Sequence, residues 1–124
     1  MQNEYLKVLI VDDSEIIGTR VRAMLAEIDG LNIVGQVKEA KNALQNIQQL
    51  QPHVVILDIS LGSDNGADLL VNIRKQFPDI MVVMLSNFSY PYYRKLCKDR
   101  GADFFFDKTT EFENILGLMK QIVT

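Results

Sequence analysis

The chain has 124 residues with a formal net charge of −3, and 48% of its residues are hydrophobic and 23% charged. This composition is ordinary for a globular protein, and the length suits one domain and not two. The weak negative charge gives no reason to expect direct nucleic-acid binding, and the lone Cys97 excludes an internal disulfide. No apolar run approaches the ~20 residues of a membrane span, and residues 1–4 lack a signal peptide's basic start, so we expect a cytoplasmic protein without membrane contact.

The first half of the chain predicts two strand–helix units. A strand near residues 6–11 precedes a helix that Asp29-Gly30 stops. A strand near residues 32–37 precedes a helix near residues 40–50, and Pro52 ends it because the residue before a proline is pushed out of the helical region. The apolar residues on one face of the first helix are Ile17, Val21, Met24, Leu25 and Ile28.

Three more units follow in the second half. A strand near residues 53–57 leads through the loop 60–65 to a third helix. A strand near residues 80–85 leads to a fourth helix that starts near Pro91 and stops before Gly101. A strand near residues 103–106 precedes the last helix. The apolar residues of that fifth helix are Phe112, Ile115, Leu116, Met119, Ile122 and Val123.

Five strands that alternate with five helices predict an α/β fold, with a parallel sheet covered on both faces. We expect a flavodoxin-like, doubly wound (βα)5 arrangement with strand order 2-1-3-4-5, formed by residues 1–124 as one domain. In such sheets the carboxyl ends of the strands share one edge, and ligands bind where the first and third strands lie side by side.

Polar residues follow the apolar runs at that edge. Asp12 and Asp13 end the first strand, Asp58 ends the third, Ser86 ends the fourth, and Lys108 follows the fifth. Carboxylates this close repel one another, and a hard divalent cation such as Mg²⁺ compensates them. A carboxylate beside Mg²⁺ can act as a nucleophile toward phosphorus, while an ammonium and a hydroxyl can meet the phosphoryl oxygens. This pattern therefore favours aspartyl-phosphate chemistry.

Four segments resemble the site segments of response-regulator receiver domains of two-component systems, in the same order and over nearly the whole chain. Asp13 and Asp58 are 45 residues apart, Ser86 follows 28 residues later, and Lys108 follows after 22 more. The matching segments are Val11-Asp12-Asp13-Ser14, Leu57-Asp58-Ile59, Leu85-Ser86-Asn87 and Gly101-Ala102-Asp103 with Lys108.

The resemblance implies a role for each residue. Asp58 would be the phosphoacceptor, with Ser86 and Lys108 on the phosphoryl oxygens, and Phe105 would occupy the aromatic switch position. The Mg²⁺ ligands would be Asp12, Asp13, Asp58 and the backbone carbonyl of Ser60.

The resemblance also implies partners for the chain. The phosphoryl donor would be a sensor histidine kinase or a histidine phosphotransfer protein. A downstream protein would read the face made by the fourth helix, fifth strand and fifth helix, and the chain would be a monomer or a phosphorylation-dependent dimer. It would not be a conventional enzyme, because it would catalyse only its own phosphorylation and dephosphorylation.

The sequence departs from the family pattern at four positions. Thr109 follows Lys108 where the family usually has a proline with a cis peptide bond, and Gly62 stands where proline is common. The switch aromatic is Phe105 rather than tyrosine, and the hydroxyl residue is Ser86 rather than threonine.

Other interpretations stay open. A phosphorylation-independent, receiver-like scaffold would keep the fold without the chemistry. A Mg²⁺-dependent phosphohydrolase of the haloacid-dehalogenase type would need acids at alternate positions after the first strand, whereas Asp12 and Asp13 are adjacent. The chain could stand alone or be a receiver excised from a larger DNA-binding response regulator.

Overall fold

The apolar runs form one parallel sheet in the computed structural model, which describes residues 5–123. Its strands are β1 (Leu6–Val11), β2 (Leu31–Val37), β3 (Val54–Leu57), β4 (Met81–Ser86) and β5 (Phe104–Asp107). They lie in the order β2-β1-β3-β4-β5, and every neighbouring pair is parallel. The predicted strand order is therefore confirmed, with strand bounds shifted by a single residue for four of the strands. The predictions made for residues 1–4 fall outside the described part of the chain.

Within residues 5–123, five helices cover the two faces of the sheet. They are α1 (Glu15–Leu25), α2 (Ala40–Leu50), α3 (Gly66–Gln76), α4 (Pro91–Asp99) and α5 (Asn114–Val123). Helices α1 and α5 pack on one face, and α2, α3 and α4 pack on the other, each against its own apolar cluster. Strand β3 is buried along its whole length, as expected for the middle strand of a sheet covered on both sides.

Two helix ends differ from the prediction. Helix α1 ends at Leu25, and Ile28 is buried in the turn that leads back to β2. Phe112 lies before α5 and not in it. Between β5 and α5 the chain turns, and Asp107 Oδ1 accepts from Thr109 N and Thr110 N at 2.7 and 2.9 Å within that turn.

Polar caps fix where the helices beside the site begin. Ser14 Oγ accepts from Ile17 N at the start of α1, and Asn65 Oδ1 accepts from Ala67 N at the start of α3. The expectation that Pro91 opens α4 is confirmed. The loop before α3 also contains a two-residue antiparallel ladder between Ser60–Leu61 and Asp64–Asn65. Within residues 5–123, no helix combines the length and apolar character needed to cross a membrane.

Candidate functional site

Three carboxylates meet at the carboxyl ends of β1 and β3. Asp12 and Asp58 are almost fully buried, with 1% and 4% of their surfaces exposed, whereas Asp13 is exposed. One carboxylate oxygen from each residue lies within 4.8 Å of the other two. The structure therefore brings together the acids that the sequence placed at one sheet edge, with two buried and one facing solvent.

The ammonium of Lys108 lies between the two buried acids. Lys108 Nζ is 2.8 Å from Asp58 Oδ2 and 2.9 Å from Asp12 Oδ2, and the lysine itself is buried. Burial alone lowers the pKa of Lys108, but the hydrogen bonds and charges of the two aspartates outweigh burial and leave this pKa above its ordinary value. The lysine is therefore held protonated in the site.

The burial of Asp12 carries an electrostatic cost. Burial raises the pKa of Asp12 above its ordinary value, and the neighbouring charge of Asp58 raises it further. A hydrogen bond from Ser14 N at 2.9 Å and the contact with Lys108 act in the opposite direction without cancelling the rise. Three negative charges against one positive charge leave the site with an excess of negative charge, which a cation would relieve.

The backbone around Asp58 is held by α3 and by the next loop residues. Asp58 N donates to Val11 O at 3.0 Å, and Ser60 N donates to Asp58 Oδ1 at 3.3 Å. Gly66, the first residue of α3, lies so close to Asp58 that a Cβ at position 66 would overlap the Asp58 carbonyl oxygen. Because the helix approaches the acid's backbone directly, only glycine fits at this position.

Gly62 explains one departure from the family pattern. Its N–H donates to Asp13 Oδ2 at 3.0 Å, and its φ is +63°. A proline could provide neither feature, since it has no N–H and its φ is fixed near −65°. The loop after β3 is therefore joined directly to the exposed acid of the cluster.

Ser86 lies at the end of β4 and is fully buried. Its Oγ accepts from Phe88 N at 3.0 Å, and its carbonyl accepts from Lys108 N at 3.1 Å. The hydrogen bonds of the described residues do not join Ser86 Oγ to Asp58 or to Lys108 Nζ. The hydroxyl is thus beside the site and engaged with its own loop in this structure.

Arg94 on α4 covers the predicted switch aromatic. Phe105 is half-buried, and the Arg94 guanidinium lies 5.1 Å from the centre of its ring. Arg94 also donates to Ser89 O at 2.9 Å and to Glu111 Oε1 at 2.6 Å. It therefore ties the loop after β4 to the loop after β5, with Phe105 beneath it. The hydrogen bond from Arg94 lowers the pKa of Glu111.

Asp107 orders the loop that carries Lys108. Its side chain accepts from Ser89 Oγ and from the N–H groups of Thr109 and Thr110. These hydrogen bonds, that of Ser89 first, lower the pKa of Asp107 to about 2. The described residues contain no cis peptide bond, so the Lys108–Thr109 peptide is trans. Side-chain hydrogen bonds thus shape a loop in which the family usually uses a cis proline.

The family model for the response regulator receiver domain matches residues 8–120. The chain belongs to this family. The receiver fold is also shared with solved structures: the BeF3-activated N-terminal receiver domain of RstA from Klebsiella pneumoniae has a TM-score of 0.84 and 26% identity, covering 94% of this chain and 97% of that one. Its family membership therefore assigns this receiver domain to the two-component signalling systems.

Curated relatives are response regulators of greater length. VraR of Staphylococcus saprophyticus is 30% identical over 89% of this chain and 53% of its own length. GacA of Pseudomonas protegens is 35% identical over 65% of this chain and 38% of its own length. The receiver domain thus spans roughly half, or less, of the relatives it matches.

Several residues of the site were missed by sequence reasoning. Gly62 was noted only as a departure, and Gly66 was not singled out, because their roles depend on an approach between segments that spacing does not reveal. Arg94 carried no signal, since its partners lie in two separate loops. Asp107 offered one, because an aspartate at the end of a strand is a common turn-forming residue.

Proposed function

We propose that this receiver domain accepts a phosphoryl group on Asp58 and passes the signal on through the face formed by α4, β5 and α5. The observation that carries the proposal is the position of Lys108 Nζ, 2.8 Å from Asp58 Oδ2 and 2.9 Å from Asp12 Oδ2. A fixed ammonium beside the acceptor can offset charge on a transferred phosphoryl group, which is the main demand of phosphoryl transfer.

Asp12, Asp13 and Asp58, with the backbone carbonyl of Ser60 as a further ligand, are the groups that would hold Mg²⁺. The donor set fits the ion, because carboxylate and carbonyl oxygens are hard ligands and the three carboxylates lie close enough to share one ion. When bound, Mg²⁺ would supply further positive charge to offset that of a transferred phosphoryl group.

The donor would be a phosphohistidine on a sensor histidine kinase or a histidine phosphotransfer protein. A carboxylate oxygen of Asp58 attacks phosphorus, the P–N bond breaks, and the imidazole leaves with the electron pair and takes up a proton. The product is an aspartyl phosphate, so the protein modifies itself and is not a conventional enzyme. Lys108 and the Ser86 hydroxyl are the groups that would donate to the new phosphoryl oxygens.

The proposed output face is connected to the site through two loops. Ser86 begins the loop that contains Ser89, and Ser89 is joined to Asp107 and to Arg94. Movement of Ser86 toward a phosphoryl group would pull on this network and on Phe105 beneath Arg94. A partner protein that reads α4, β5 and α5 would then distinguish the two states by its different affinity for them.

The wider organisation of the protein is part of the same proposal. We take residues 1–124 as one receiver domain. The relatives named above are response regulators of greater length, so an output domain on the same chain and a separate partner protein are both compatible with this site.

Beryllofluoride with MgCl2 tests the proposal, because beryllofluoride imitates a phosphoryl group bonded to a carboxylate. We expect amide NMR shifts at Asp58, Ser86 and Lys108 beyond those that MgCl2 alone causes, and beryllofluoride without MgCl2 should not produce them. Asp58→Asn is the matched control, since it keeps the shape but removes the acceptor carboxylate, and it should not respond. Absence of binding by the unaltered protein, or equal binding by Asp58→Asn, would contradict the proposal and favour a phosphorylation-independent scaffold.

A further inference from the structure

The side chain of Gln36 holds the loop that carries the two acids of β1. Gln36 Nε2 donates to Asp12 O at 2.8 Å and to Ser14 O at 3.1 Å. Ser14 is the residue immediately before α1, and Asp12 lies two positions earlier, so Asp13 lies between two carbonyls that a single amide fixes. Both N–H bonds of the amide are used on this one loop.

A bulge in β2 turns Gln36 toward that loop. Val8 pairs with Ile33, but Leu9 pairs with Gly35, so Val34 is an extra residue in the ladder. Ile10, the partner of Gln36, faces the helices α1 and α5. Side chains alternate faces along a strand, so without the extra residue Gln36 would point to the opposite face of the sheet.

Gly18 on α1 makes room for the amide. A Cβ at position 18 would overlap Oε1 of Gln36, and Gly18 is buried in the first turn of α1. Glycine inside a helix costs roughly 1 kcal/mol relative to alanine. The contact with Gln36 accounts for a glycine at a position where helix stability alone favours alanine.

We propose that Gln36 is a positioning residue for the metal site: its amide, admitted by Gly18, fixes the loop that presents Asp12 and Asp13 to Mg²⁺. The inference rests on the proposed function, because it assumes that these acids bind the ion. Gln36 itself touches neither the acids' carboxylates nor the ion. It acts through the backbone on both sides of Asp13, as groups behind metal ligands commonly do.

The dissociation constant for Mg²⁺, measured with MgCl2 alone by amide NMR shifts, tests the proposal. Gln36→Ala should weaken Mg²⁺ binding by about tenfold, the lower end of the loss seen when groups that support metal ligands are removed. Gln45→Ala, at an exposed position on α2, is the matched control and should bind as the unaltered protein does.

Gly18→Ala tests the same positioning role without changing the side chain of Gln36. It should also weaken Mg²⁺ binding, because the new Cβ displaces Gln36, although alanine is the better helix former. If Gly18 had only a structural role, Gly18→Ala would instead be more stable than the unaltered protein and would bind Mg²⁺ with unchanged affinity. In the Gln36→Ala background Gly18→Ala should cause no further loss, since it acts only through the glutamine.

The outcomes separate this inference from the proposed function. If the unaltered protein binds Mg²⁺ and both Gln36→Ala and Gly18→Ala bind it equally well, the positioning role is wrong and the proposed function stands. If the unaltered protein does not bind Mg²⁺, both proposals are overturned. Weaker binding by both variants, with no added loss in the double variant, supports the positioning role.

Discussion

Lys108 Nζ donates to Asp58 Oδ2 across 2.8 Å, so the proposed acceptor carries its own counter-charge before any phosphoryl group arrives. The same ammonium contacts Asp12 Oδ2 at 2.9 Å. It therefore competes with a metal ion for the acids that would hold that ion. The charge compensation proposed for Lys108 and that proposed for Mg²⁺ are thus coupled, because both cations would contact the same carboxylates.

Replacing Lys108 should separate these roles. Lys108→Met should bind Mg²⁺ about tenfold more tightly, a gain of ~1.4 kcal/mol in binding free energy. This gain is well under the Coulomb energy of roughly 4 kcal/mol between two unit charges 4 Å apart at a dielectric constant of 20. The same variant should bind beryllofluoride more weakly, because the cation facing the fluorines is lost. Lys98→Met, exposed on α4, is the control for both titrations. Weaker Mg²⁺ binding by Lys108→Met would refute the competition.

Two glycines in helices should respond to alanine in opposite directions. Gly66→Ala should lower the free energy of unfolding by about 1–3 kcal/mol, because the new Cβ overlaps the Asp58 carbonyl. Gly117→Ala, in α5 with nothing within 4 Å of its Cβ position, should raise that free energy by up to about 1 kcal/mol. Urea unfolding measures both. Equal stabilisation by the two substitutions would mean that α3 does not approach Asp58 as closely as described.

Asp107 should stabilise the fold in a defined pH range. Its pKa is about 2 in the folded protein and ordinarily 3.8, so its contribution is fully present above pH 3.8 and is lost as the pH falls toward 2. The free energy of unfolding of Asp107→Asn should therefore be closest to that of the unaltered protein near pH 2. The difference between the two proteins should grow as the pH rises toward 3.8. Urea unfolding at several pH values measures the difference, and the same substitution at the exposed Asp79 controls for the lost charge.

Arg94 should restrain the response of the loop after β4. Arg94→Met removes the bonds to Ser89 and Glu111, and we expect tighter beryllofluoride binding because that loop can then move at lower cost. Because the Arg94–Glu111 ion pair is partly exposed, it contributes at most about 1 kcal/mol of free energy. The affinity for beryllofluoride should therefore rise by at most about fivefold. Lys95→Met, which loses only an exposed pair with Asp99, is the control. Weaker or unchanged binding by Arg94→Met would exclude this restraint.

The sequence predicted the sheet order and the meeting of the acids because both follow from alternating apolar runs. Asp12, Asp13 and Asp58 end strands that lie side by side in the expected order 2-1-3-4-5, so their proximity follows from the topology without detailed geometry. Lys108 could be placed for the same reason, since it directly follows β5.

Other features depend on contacts that local pattern does not encode. The extra residue Val34 reverses the face of Gln36, yet the apolar alternation of β2 is too weak to reveal a bulge. Gly62 and Gly66 matter only because the loop after β3 folds back against the acids. In the turn before α5, Asp107 Oδ1 accepts hydrogen bonds from Thr109 N and Thr110 N.

Phosphorylation of Asp58 is the central claim, and intact-protein mass spectrometry after incubation with acetyl phosphate tests it most directly. With MgCl2 the unaltered protein should gain the mass of one phosphoryl group, and base should remove it, as expected for an acyl phosphate. Omitting MgCl2, or introducing Asp58→Asn, should abolish the gain. A mass gain that persists in Asp58→Asn, or no gain in the unaltered protein with Mg²⁺, would contradict the account.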